Sequence, residues 1–225
     1  MNKPTNNKSL IFGIVIVTVL IFGGLIWAIE GSPSVTVAPS TDAVGFDVPS
    51  DPSQGPANAP VTVHVFSDFQ CPACAIAEPA LQWAMNQYKD RVRFVWVDFP
   101  LEQIHPNARL AANAARCAED QGAFWNYHDK LYETQDSWAG DSQASDKMIS
   151  YAGALGLDKK SFTACLTAKA EDAKIAADIA EAAKNSVDRT PTYFINNRRY
   201  FSMPQADWAS ALDTALVAAS STVSK

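Results

Sequence analysis

Cys71-Pro72-Ala73-Cys74 places two thiols two residues apart, between an apolar run, Val61 to Phe66, and a helical pattern. At that spacing the sulfurs can close a small disulfide and trade it with the thiols of other proteins. A helix start presents unpaired N–H groups and a partial positive charge, and both favour thiolate over thiol. Cys71 is therefore expected to have a lowered pKa and to act as the nucleophile. Cys74, one turn in, is expected to resolve the mixed disulfide. The alternative is half of a zinc site. Zinc needs two more ligands, and the chain has no second CxxC and only three scattered histidines, His64, His105 and His128. The redox reading is preferred, with no metal and no cofactor expected.

Such a pair needs a strand before it and a helix to carry it. Val61 to Phe66, rich in β-branched residues and flanked by Pro60 and Ser67, reads as a buried strand. Pro72 to about Tyr88 has apolar residues at helical spacing, and Pro72 suits the first helical position. Pro79 inside it is expected to kink the helix. Arg91 to Val97 alternates as a second strand. From Pro106 to Val187 the chain reads as helices: Ala108–Glu119, Ala123–Gln135, Gln143–Leu155, Lys159–Thr167 and Lys169–Asn185. Thr192 to Asn196 is a strand pattern, Asn196-Asn197 a turn, Arg199 to Ser202 its partner, and Ala206 to Ala219 a closing helix. The order is an α/β core interrupted by an inserted α-helical subdomain, about residues 105–187.

The N-terminus suggests a compartment. Leu10 to Ile29 is twenty residues without a charge, enough as a helix to span a hydrocarbon core of roughly 30 Å. Lys3 and Lys8 precede it, so the tail, residues 1–9, is expected in the cytoplasm and the rest outside. The alternative is a cleaved signal peptide, for which Trp27 to Ser32 offers no clean small-x-small site. Either way the soluble part is expected to be extracytoplasmic. Residues 30–55 read as a spacer with a possible short strand at Val44 to Val48, and 56–220 as one domain. The formal net charge is -6 with no basic stripe, so nucleic-acid binding is not expected. The four cysteines, an even count, fit an oxidising compartment. Cys117 and Cys165 fall in two different predicted helices and are expected to form a structural disulfide. Closing a loop of that size is worth about 4 kcal/mol in the chain-entropy model. The alternatives are two buried thiols or a second redox relay.

The run Phe66-Ser67-Asp68-Phe69-Gln70-Cys71-Pro72-Ala73-Cys74 resembles that of membrane-anchored, DsbA-like thiol–disulfide oxidoreductases. So do Phe99-Pro100-Leu101, His105-Pro106-Asn107-Ala108, Ala115-Arg116-Cys117-Ala118 and Thr190-Pro191-Thr192-Tyr193-Phe194. The match runs from about residue 56 to 218. CxxC alone is weakly specific; CxxC with a Thr-Pro about 120 residues on and helices between is much more so. The resemblance implies a thioredoxin-like fold, a cis Thr190–Pro191 bond, and a Thr190 backbone that faces the sulfurs and offers strand-like hydrogen bonds to an extended substrate. It also implies reduced exported proteins as substrates and a membrane-embedded partner that reoxidises the enzyme. One departure stands out. Where family members often carry a buried acid, six residues before the nucleophile, this chain has Val65, next to His64. A proton path to Cys74 is then not obvious.

The activity implied is disulfide introduction into exported proteins. A reductase or isomerase on the same fold, and a non-catalytic binding module, are the alternatives. Asp68 reads as a turn or cap residue, with proton transfer as the alternative. His105 and His128 read as local structure, and Trp96, Phe124, Trp125 and Tyr127 as packing. Phe69, Gln70 and Ala73 flank the sulfurs and are candidates for substrate contact.

Overall fold

Val61, Val63 and Val65 are almost fully enclosed while Thr62 and His64 are only partly so, and this alternation makes their segment a strand between two layers. The computed structural model describes Phe46 and residues 51–223. Their order is β1 (Ser53–Gln54), β2 (Val61–Ser67), α1 (Pro72–Tyr88) and β3 (Val92–Asp98). Then come α2 (Ala108–Glu119), α3 (Phe124–Glu133), α4 (Gln135–Trp138), α5 (Ala144–Ala154), α6 (Lys159–Ala168) and α7 (Asp172–Lys184). β4 (Thr192–Ile195), β5 (Arg198–Phe201) and α8 (Gln205–Val223) close the chain. This is a thioredoxin-like α/β fold with a helical insertion. The expected anchor at 10–29 and the rest of the expected strand around Phe46 lie outside the described residues. Among the described residues no helix is long and apolar enough to cross a membrane.

The sheet has the order β1-β3-β2-β4-β5. β2 and β3 are parallel, as their connection through α1 requires, and β4 runs antiparallel to β2. Residues Val61, Val63 and Val65 pack with Leu81 and Met85 of α1 and with Trp208 and Leu212 of α8. Phe66, Val97 and Phe194 form the opposite face with Ala182 of α7 and Val187. His64 lies against Phe46, ring centroids 4.1 Å apart. Burial lowers its pKa to about 4, so it is neutral there. The edge strand β1 was not part of the sequence expectation. It depends on Gly55, whose φ of +98° and distance of 2.1 Å from an added Cβ to the Val92 oxygen admit no side chain.

The helical insertion is built on α2, where Ala111, Ala114, Ala115 and Ala118 are fully buried and let neighbouring helices approach closely. The wholly buried guanidinium of Arg116 joins three segments: Asp98 at the end of β3 (2.7 Å), Asp178 of α7 (2.6 Å) and Asp51 before β1 (2.8 Å). Cys117 of α2 and Cys165 of α6 are bonded, with Cα atoms 5.9 Å apart. The register decides where the chemistry sits. Phe66 pairs with Thr192, so Thr190 and Pro191 arrive beside the end of β2, where the chain turns into Cys71 and α1.

Candidate active site

Cys71 occupies the N-cap of α1, with φ -68° and ψ 121° and no side-chain oxygen to cap the helix. Its sulfur sits at the helix start, where the N–H groups of Ala73 and Cys74 favour the charged form. The Cys71 pKa falls from 9.0 to about 5, chiefly through the hydrogen bond from the Cys74 thiol. Thr190 and the two N–H groups add to this, against the opposing effect of burial. The sulfur lies 3.7 Å from the Thr190 carbonyl oxygen. The Thr190 hydroxyl is buried with no hydrogen-bond partner, and its proximity favours the thiolate.

Cys74 is the opposite case. It is 2% exposed, and burial first, then the neighbouring Cys71, push its thiol well above the ordinary range. The Ser67 hydroxyl partly offsets this, with the Tyr132 hydroxyl 2.9 Å behind it. Both cysteines are free thiols. At neutral pH the pair is therefore a thiolate at Cys71, itself only 7% exposed, and a thiol at the more deeply buried Cys74.

The turn before α1 is tied to the insertion. One Asp68 oxygen accepts from the Gln70 N–H at 2.7 Å. The other accepts from the Leu101 N–H at 2.9 Å and lies 2.7 Å from His105 Nδ1. The turn reading of Asp68 thus describes its contacts. Gln135 of α4 donates to the Phe69 and Cys71 carbonyls at 2.7 and 3.1 Å. Gln70 donates to the Ala139 carbonyl and accepts from the Asn107 N–H. Phe69 and Gln70, expected beside the substrate, are instead buried: Phe69 stacks on Trp96 with centroids 4.7 Å apart. Ala73 is exposed. Thr190–Pro191 is a cis peptide. Its residues are brought to Cys71, whereas Cys117 and Cys165 stand apart from the pair in their own disulfide.

Sequence reasoning missed Glu78, Gln135 and Asn107. Glu78 had an available signal: it follows Cys74 by four residues and so shares its helix face. Gln135 and Asn107 had none, because their role depends on how distant helices pack.

A strand–CxxC–helix unit facing a cis Thr–Pro, with helices inserted between, agrees with the thioredoxin family description, whose model matches residues 47–214. The chain belongs to the thioredoxin family. Among solved structures this thioredoxin-family chain is similar to a thioredoxin-like oxidoreductase from Silicibacter pomeroyi DSS-3. The two share 27% identity at a TM-score of 0.63, over 78% of this chain and 97% of that one. BdbD from Bacillus subtilis has the same fold at 22% identity and TM-score 0.67, over 82% and 99%. So does alpha-DsbA1 from Wolbachia pipientis, at 19% and 0.70 over 79% and 96%. Among curated relatives, "Na(+)/H(+) antiporter NhaA 1" of Salinispora arenicola is 40% identical over 165 residues, 72% of this chain and 24% of that protein. The protein of that name from Mycolicibacterium gilvum is 30% identical over 206 residues, 89% of this chain and 32% of that protein. This chain thus spans about a quarter to a third of the length of these relatives.

Proposed function

We propose that this chain is an extracytoplasmic thiol–disulfide oxidase that introduces disulfides into exported proteins. The observation that carries the reading is the asymmetry of the pair, a Cys71 thiolate with a pKa of about 5 beside a buried Cys74 thiol. Stabilising the reduced thiolate makes the disulfide a stronger oxidant. In the reaction a substrate thiolate attacks the Cys71 sulfur, the Cys71–Cys74 bond breaks, and Cys74 leaves with the electron pair and takes up a proton. A second substrate thiolate then attacks the substrate sulfur of the mixed disulfide and releases Cys71 as thiolate. The substrate loses two electrons and gains a disulfide; the enzyme is left as a dithiol. Thr190 and Pro191 would hold the extended substrate beside Cys71. A membrane-embedded partner would reoxidise the dithiol, and residues 10–29 would keep the domain at the outer face of the membrane.

The antiporter name of the curated relatives suggests a different activity. Ion exchange through a membrane needs several spanning segments to enclose a pathway, and these 225 residues carry a single apolar run of that length. The exchange those names describe is therefore assigned to the parts this chain does not cover. The test is oxidative refolding of a reduced, unfolded disulfide protein with stoichiometric oxidised enzyme. Rapid disulfide formation, lost in Cys71→Ser, is expected. Disulfide reduction by the dithiol form with no oxidase activity would replace this reading with a reductase.

A further inference from the structure

The His128 side chain of α3 is wholly buried, yet its Nε2 has no hydrogen-bond partner among the described residues. A buried polar nitrogen left without a partner is unfavourable, and its persistence calls for a reason. The rings of Trp96 and Trp125 pack against the imidazole, with centroids 4.7 and 5.3 Å away. Its Nδ1 lies 2.9 Å from an oxygen of the exposed Asp129 carboxylate. A carboxylate only accepts, so in the neutral ring the proton sits on Nδ1 and the lone pair on Nε2. That lone pair lies 3.8 Å from Oε1 of Glu78 on α1. The separation is too long for a hydrogen bond. It suits a shared ion, because two ligands at about 2.0–2.2 Å from one zinc are at most about 4.3 Å apart. Gln82 Nε2 lies 2.9 Å from Glu78 Oε1 and 2.9 Å from Asp129 Oδ1, so a donor already sits where the two carboxylates converge. Glu78, Gln82, Asp129 and Glu133 line a cleft of about 420 Å³ that opens to solvent and gives an ion a way in.

We propose that Glu78, His128 and Asp129 form a binding site for a divalent metal ion of the zinc type. His128 Nε2 and Glu78 Oε1 supply the inner ligands, and water from the cleft completes the shell. Asp129 holds the imidazole by Nδ1, the carboxylate–histidine–metal arrangement that orients a ligating ring. An imidazole nitrogen beside carboxylate oxygens suits zinc, whereas calcium takes six to eight oxygens. One ligand atom from each of the three residues lies within 4.8 Å of the others. The bound ion would clamp α1, one turn beyond Cys74, to α3 of the helical insertion. The sequence expectation of no metal weighed zinc on the cysteines; this set comes together only where α1 packs on α3.

The site does not depend on the exchange reaction, and the experiment keeps the two apart. The oxidised full chain is used, because the free thiols of Cys71 and Cys74 would bind zinc themselves. It is titrated with Zn²⁺ alone by calorimetry, while nitrogen NMR follows the rings of the three histidines, His64, His105 and His128. Saturable binding of one zinc per chain is expected, with the ring shift confined to His128. Glu78→Gln and His128→Gln are each expected to weaken binding at least about tenfold, and Asp129→Ala by about tenfold through the ring orientation it removes. A His128 ring that does not move at saturating zinc would overturn the site, as would unchanged affinity in Glu78→Gln; zinc still bound in either case is adventitious surface binding only. Should His128→Gln not fold, the native ring shift and the Glu78→Gln affinity decide.

Discussion

A thiolate at Cys71 depends on donors that can be removed one at a time. The Thr190 hydroxyl is the cleanest, since it has no hydrogen bond to lose and Thr190→Val keeps the shape. Hydrogen bonds to charged groups are worth roughly 1.5–3 kcal/mol, so this variant is expected to raise the Cys71 pKa by about one unit or more. Thiolate absorbance against pH measures it. The native protein should titrate one thiol near the value of about 5, and Cys74 should stay protonated through the neutral range. A native midpoint in the ordinary thiol range, near 8.5, would remove the activated nucleophile. Cys71 and Cys74 were legible in the sequence because their chemistry is local: a strand, two thiols and a helix start in one short segment. Glu78 was half-legible. Its helix face followed from its spacing, but its burial came from α3, far along the chain.

Between elements, one tie staples the insertion internally and a second holds it to the sheet. The Cys117–Cys165 disulfide links α2 to α6 and stands apart from Cys71 and Cys74. Replacing both by Ala is expected to cost about 2–4 kcal/mol in denaturant unfolding while leaving exchange at Cys71 intact. Loss of exchange in the still-folded double variant would instead point to a relay. The second tie is Arg116. Arg116→Leu leaves the buried acidic side chains of Asp98, Asp51 and Asp178 without their shared cationic partner, and a loss of about 3–5 kcal/mol is expected from the denaturant midpoint. Periodicity gave most helices and strands to within a residue or two, since their apolar faces repeat locally. Ala123–Gln135 was read as one helix, whereas the chain breaks at Thr134 into α3 and α4. That break matters, because Gln135 then begins α4 and reaches the Cys71 carbonyl. Arg116 could not be read as a hub. In an alanine-rich helix an arginine looks like a surface charge, and its partners come from positions 51, 98 and 178.

For the molecule as a whole, the two redox forms should differ in how stability follows pH. Burial raises Asp51 to about 6 and Asp178 to about 8, so the folded chain holds protons that the unfolded chain releases. Their contribution is full below the ordinary carboxylate range and is lost as pH rises through about 6 and then about 8. This applies to both forms. Only the reduced form has the depressed Cys71, whose contribution is present above its unfolded value of 9.0 and is lost as pH falls through about 5. The stability of the reduced form minus that of the oxidised form should therefore grow between about pH 5 and 9, by a few kcal/mol. Parallel urea titrations of the two forms across pH measure this difference, in which the Arg116 cluster cancels. The same asymmetry sets the direction of electron flow. The equilibrium potential of the Cys71–Cys74 couple in glutathione buffers tests it most directly. An oxidising value is predicted, nearer the roughly -120 mV of DsbA than the about -270 mV of thioredoxin. A value at or below that of thioredoxin, with the oxidised form the more stable, would contradict the oxidase account.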